Sequence, residues 1–137
     1  MTMFRTICIS LVFAIMGCAS AQPDVTGSGS QVAMRQIQTR EYDTLDKQMT
    51  MRSTISTLQD LGFVIDNADL DLGAVTATRH RNYTMRMTVT VREKDGKRIA
   101  VRANARMGEE AIDDPRTYQD FFTALDKAMF LTLQKVD

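Results

Sequence analysis

Few side chains in this sequence can carry covalent or acid–base chemistry. There is one histidine, His80, and there are two cysteines, Cys8 and Cys18. A Ser-His-Asp arrangement would have to use His80, and no nucleophile-elbow glycine pattern accompanies it. Zinc would need several His or Cys ligands, and after Cys18 there is no thiol at all. Asp66, Asp69 and Asp71 echo part of a calcium loop, but no closing Glu follows and Leu70 and Leu72 interrupt them. Turn formation explains them more simply. Glu109, Glu110, Asp113 and Asp114 form a second acidic cluster, whose last members suit the start of a helix. These residues predict no enzyme, no metal and no cofactor beyond a covalent lipid.

Arginine offers a different chemistry. Arg86 and Arg92 fall on the polar side of an alternating segment, and Arg98, Arg102 and Arg106 on the polar side of the next. Arg79 and Arg81 are expected to extend the same patch. The planar guanidinium suits bidentate capture of carboxylate or phosphate better than an ammonium does. Such a face could dock an acidic partner or an anionic polymer. The same residues, interleaved with Thr of good β-propensity, would also make an ordinary solvated face. Nucleic acid is not expected, because Lys+Arg and Asp+Glu number 17 each and no aromatics lie on that side. Met49, Met51, Met85, Met87, Met107 and Met129 fall on apolar faces, where core filling is their expected role rather than copper binding.

The two cysteines lie in the first 18 residues, so the rest of the chain must fold without disulfides. Arg5 precedes an apolar run, Thr6 to Met16, that is shorter than the roughly 20 residues a membrane span requires. It reads as a signal peptide. Ile15-Met16-Gly17-Cys18 resembles the bacterial lipobox, in which a small residue precedes the cut and the thiol takes up diacylglycerol. Ala19-Ser20-Ala21 offers ordinary signal peptidase a second cut, which would leave a soluble periplasmic chain beginning at Gln22. The lipobox cut gives Cys18 a use, and the segments follow from it. Residues 1–17 are the signal peptide, 18–31 the lipidated cysteine (with palmitate-type acylation) and a flexible Pro/Gly/Ser tether, and 32–137 a single domain. By resemblance to enterobacterial lipoproteins, Ala19 after the cysteine favours the outer membrane, facing the periplasm.

The domain itself reads as β-α-β-β-β-β-α. A first strand is expected over 32–42. A helix follows over about 44–61, presenting Leu45, Met49, Met51, Ile55, Leu58 and Leu61, with Gly62 as its stop. Short strands begin at Phe63 and Gly73. From Tyr83 to Arg92 the alternation is clean, with Tyr83, Met85, Met87, Val89 and Val91 on the dry side. Asp95-Gly96 signals a hairpin, whose return strand turns Ile99, Val101, Ala103, Ala105 and Met107 inward. Asp114-Pro115 opens a last helix built on Tyr118, Phe121, Phe122, Leu125 and Met129. Short connections make the strands antiparallel neighbours. The fold class is therefore α+β: a two-layer sandwich with both helices on one face of an antiparallel sheet.

Three patches, "QTREYDT", "LQDLGFVIDNADLDLGAVTATR" and "YQDFFTALDKAMFL", resemble a family of uncharacterised lipoproteins of Gram-negative bacteria. The resemblance covers most of the domain and implies a location rather than a mechanism. The element order, through "LGFVID" and "GAVTATR", is also similar to the helix-grip domains of the lipoprotein accessory subunit of the outer-membrane barrel-assembly machine. No site residue transfers from that similarity. Together these readings point to a non-enzymatic envelope lipoprotein, bound to the membrane by its lipid and working by contact with an envelope protein, as an accessory of outer-membrane assembly or transport. The alternative is a soluble or tethered periplasmic module that binds an anionic ligand through the arginine face.

Overall fold

The computed structural model describes residues 25–134; Cys18 and both cleavage positions lie outside them. Nine elements follow in order: α1 (Val25–Ile37), β1 (Thr39–Tyr42), α2 (Lys47–Asp60), β2 (Val64–Asp69), β3 (Ala74–His80), β4 (Thr84–Lys94), β5 (Arg98–Met107), β6 (Glu110–Ala111) and α3 (Pro115–Gln134). The strands form one open antiparallel sheet in the order β1-β5-β4-β3-β2, with β6 also on β5. The α+β sandwich expected from the sequence is therefore present. β1 and β2 occupy opposite edges, so α2 carries the chain across the whole helical layer between them.

One face of the sheet is dry. Val75 and Ala77 of β3, Met85, Met87, Val89 and Val91 of β4, and Ile99, Val101, Ala103 and Ala105 of β5 are all buried. They meet Met51 and Leu58 of α2 and Phe121, Phe122, Leu125 and Met129 of α3 in one cluster. Alternation in β4 and β5 produces this surface directly, since every second side chain turns to the same side. Met107 and Tyr83, both expected on the dry side, are exposed at the ends of that run.

Two expected elements differ. The strand assigned to 32–42 is a strand only over Thr39–Tyr42; residues 32–37 belong to α1, which also takes in 25–31 of the expected flexible tether. The segment "VAMRQI" contains both periods. Met34 and Ile37, three residues apart, pack together on the core, and that tertiary contact decides for helix. α2 is shorter than expected and begins after Asp46, whose carboxylate accepts the Met49 N–H at 2.8 Å. Leu45, outside the helix, is 51% exposed. The face that α2 buries is instead rich in hydroxyls: Thr50, Ser53, Thr54 and Thr57. Thr50 and Thr54 each donate to the carbonyl four residues back, at 2.9 Å. The buried Thr57 hydroxyl has no hydrogen-bond partner among the described residues.

The outer edge of β5 shows how the layers are tied. β1 pairs with it over Ile99–Arg102, and β6 over Arg106–Met107. Between these two short strands, the Gln38 carbonyl accepts the Ala103 N–H at 2.9 Å. The Tyr118 hydroxyl accepts the Ala105 N–H at 3.3 Å and the Gln38 side-chain amide at 3.2 Å, and donates to the Ile112 carbonyl at 2.6 Å. A second tie joins β1 to α3. The Tyr42 hydroxyl donates to Asp126 at 2.8 Å, and Arg40 pairs with the same carboxylate while lying 5.1 Å above the Phe122 ring. Burial, then the bond to Asp126 and its charge, pushes the Tyr42 phenol well above its ordinary value.

Two turns place β4. In the three-residue connection 95–97, Asp95 and Gly96 both have positive φ, 57° and 61°. At Gly73, φ is +68° and an added Cβ would sit 2.3 Å from the Val91 carbonyl oxygen. The Val91 N–H in turn donates to the Gly73 carbonyl at 2.8 Å, so this glycine lets two strands approach closely. Gly96 has open space around it. We expect Gly96→Ala to cost about 1–2 kcal/mol through backbone conformation alone, and Gly73→Ala clearly more. Equal midpoints in urea denaturation would sink the close-approach argument. In the same assay Tyr118→Phe should lose about 1–3 kcal/mol, the cost of leaving buried polar groups unpaired. Thr57→Val, which removes an unpaired hydroxyl, should be neutral or gain up to about 1 kcal/mol. A loss on Thr57→Val as large as that on Tyr118→Phe would contradict this assignment.

Candidate functional site

The wet face of the sheet is crossed by no helix among the described residues: α2 and α3 pack on the dry side, and α1 turns Met34 and Ile37 toward the same core. The length of the 95–97 connection sets the register of β4 against β5. The resulting cross-strand pairs on the open face are Arg86 with Arg106, Thr88 with Asn104, Thr90 with Arg102, Arg92 with Ala100 and Lys94 with Arg98. β3 continues these rows with Thr78 beside Arg86 and Thr76 beside Thr88, and β1 adds Thr39 beside Arg102 and Glu41 beside Ala100. All five arginines named from the sequence therefore share one surface.

They do not share one environment. Glu41 pairs with Lys94 and, at 2.6 Å, with Arg98, which also lies 3.3 Å from Asp95. Arg98 is thus consumed in an ion-pair cluster that clips β1 to the hairpin. The Lys94 hydrogen bond, helped by the charges of Arg98 and Lys94, holds the Glu41 carboxyl below its ordinary value against the opposing effect of desolvation. Arg106 donates to the Glu109 carbonyl at 2.7 Å and has that residue's exposed carboxylate at 3.7 Å. Arg86, Arg92 and Arg102 are exposed and make no ion pair among the described residues. Asp66, at the bulge in β2, accepts a hydrogen bond from Thr78 at 2.5 Å and does not pair with the neighbouring Arg86.

Arg79 corrects the expected extension of the patch. It is opposite Met85, on the helix side, with its guanidinium 4.8 Å above the Phe63 ring and donating to the Leu61 carbonyl at 3.4 Å. Its parity with the buried Val75 and Ala77 carried this information in the sequence. Arg81 is exposed in the turn after β3. What the sequence reading missed is the middle of the surface. Thr88 and Asn104 form a short, uncharged row between basic rows, and only the register brings them together.

The other candidates take structural places. His80 is exposed at the end of β3, with Nδ1 3.1 Å from the Thr84 hydroxyl. Asp69 accepts the Leu72 N–H at 2.8 Å within its turn, and the Asp71 carbonyl accepts from Lys47 at 2.7 Å. Asp114 accepts the Arg116 N–H at 3.0 Å, the main cause of its lowered pKa. No group of three or more His, Cys, Asp or Glu among the described residues is arranged to hold a metal ion. Nor is any described helix long and apolar enough to cross a membrane. Two hollows open on the helix side: a groove of about 800 Å³ between α2 and α3, floored by Met49, Ser53, Ala128 and Leu131, and a cleft of about 310 Å³ near Phe63, Arg79, Tyr83 and Asp120.

The Glu41 cluster has a testable pH signature. A carboxyl whose folded pKa is depressed adds stability above its unfolded pKa, near 4.5, and loses that contribution as pH falls through the folded value. Wild type should therefore lose stability relative to Glu41→Gln as pH drops through and below 4.5. Parallel stability curves for the two proteins in that range would refute the linkage.

No protein-family model matches this chain, and no curated protein is found similar to it.

Proposed function

We propose that this protein is a non-enzymatic docking module of the bacterial envelope, anchored at the outer membrane by a lipid on Cys18 and contacting an acidic surface of a partner protein through its open sheet face. The observation that carries the reading is the direct opposition of Arg86 to Arg106, itself 3.7 Å from the exposed Glu109 carboxylate, beside Arg102 and Arg92, which like Arg86 make no ion pair among the described residues. Like charges directly across a ladder are destabilising. A partner of opposite charge would relieve the repulsion and add charge-assisted hydrogen bonds. The lipobox Ile15-Met16-Gly17-Cys18 and the sequence resemblance to envelope lipoproteins support the location. The second reading, an anionic ligand of the periplasm, uses the same arginines and differs in what neutralises them.

Intact mass of the mature protein tests the anchor: a lipid-modified N-terminus at Cys18, lost in Cys18→Ala, is expected. An unmodified chain beginning at Gln22 would remove it. A photo-crosslinking residue at Thr88, on the open face, should capture a specific envelope protein in cells, whereas one at Thr123, exposed on α3, should not. Capture from Thr88 should disappear in the Arg86→Glu/Arg102→Glu double variant. Capture that persists in that variant, or that arises from Thr123 alone, would overturn the proposed surface.

A further inference from the structure

Resting on that docking reading, we infer that the occupant of the open face is an extended acidic segment of the partner, lying along β4 and β5 with two carboxylates four residues apart. The basis is the spacing of the charges. Arg86, opposite Arg106 with its 3.7 Å contact to the exposed Glu109 carboxylate, marks one basic row, and Arg102, with Arg92 on the diagonal, marks a second. Between them is the Thr88–Asn104 row, with Thr76 beside it and Thr90 opposite Arg102. Arg102 and Arg106 lie on one strand four residues apart, a separation of about 13 Å at the usual strand rise. An extended peptide repeats at the same rise, so its residues i and i+4 match the two basic rows without distortion. Its intervening residue would face short side chains that can both donate and accept hydrogen bonds, Thr88 and Asn104, and that leave room for a backbone to approach.

A compact anion fits less well. Small phosphates are held by donors that converge from several sides, as in a turn or a concave pocket. Here Arg86, Arg102 and Arg106 stand in rows on a sheet face and line neither of the hollows described above; a third hollow, beside Lys47 and Asp71, takes in Arg92 alone of the five arginines. Arg98 is excluded from the site by its ion pairs with Glu41 and Asp95. The surface therefore has two basic points and a neutral saddle, rather than five equivalent arginines.

The test is fluorescence anisotropy with the full lipidated chain in detergent and an eight-residue Ser/Thr peptide bearing Glu at positions 2 and 6. A peptide with Glu at positions 2 and 3 and inorganic phosphate serve as comparisons. The spaced peptide should bind more tightly than the adjacent one. Arg86→Ala and Arg102→Ala should each weaken it about tenfold or more, in keeping with loss of a charge-assisted bond, while Arg98→Ala leaves it within about twofold of wild type. Circular dichroism of each variant keeps loss of fold apart from loss of binding. Equal binding of the two peptides, or equal loss on Arg98→Ala, would overturn the spacing. Phosphate binding that depends on Arg86 but not Arg102, without peptide binding, would replace the segment by a small anion. If the spaced peptide fails while capture from Thr88 in cells succeeds, this inference falls and the docking reading stands. If both fail, both fall.

Discussion

The hydroxyl of Tyr118 is the contact on which the arrangement of the layers depends. It fills a gap in the outer edge of β5, where neither β1 nor β6 reaches, and so completes a hydrogen-bond ladder that the backbone alone leaves open. Its three partners come from the chain before β1, from β5 and from the connection into α3. A single buried oxygen thus fixes how the last helix starts relative to the sheet. α3 then delivers Phe121, Phe122, Leu125 and Met129 to the dry face at the spacing of its own turns. Apolar burial supplies the larger driving force, but it has no direction. The hydroxyl supplies the direction.

With α2 and α3 on the dry face, no helix among the described residues covers the other side of the sheet. Thr76, Thr88, Thr90 and Asn104 are half-buried by their neighbours, whereas Arg86, Arg92, Arg102 and Arg106 are exposed. Pairing on this surface is uneven: Arg98 is held by Glu41 at one end and Arg106 by Glu109 at the other, while Arg86, Arg92 and Arg102 make no ion pair among the described residues. That asymmetry distinguishes the surface from an evenly solvated sheet, where both signs intersperse.

How much of this was legible in the sequence follows from how local each cause is. The β4–β5 hairpin could be read directly, because alternation and Asp95-Gly96 act over a few residues. So could the start of α3, because Asp114 satisfies the amide of a residue two positions on. The first helix was not legible. Its glycines and its alternating Val32 and Met34 suggest other structures, and only contact with a distant core overrules them. α2 was legible in outline but not in its buried face, since Thr50, Thr54 and Thr57 are buried there for reasons of fit that periodicity does not express. On the arginine surface, the list of residues was visible and their division was not. Arg98 and Arg86 look alike in the sequence; a glutamate on β1, brought alongside by β1–β5 pairing, separates them.

The bulge in β2 has a bearing on how copies of this domain behave in company. β2 is the strand at the free edge of the sheet, and its register shifts between Ile65 and Asn67, with Asp66 inserted there. At the opposite edge stand only the four residues of β1 and the two of β6. Neither rim presents a long regular row of amides and carbonyls. Domains crowded together on a surface therefore lack the template for end-to-end polymerisation into continuous sheets. Association is steered away from the rims and onto side chains, where charge can choose the partner.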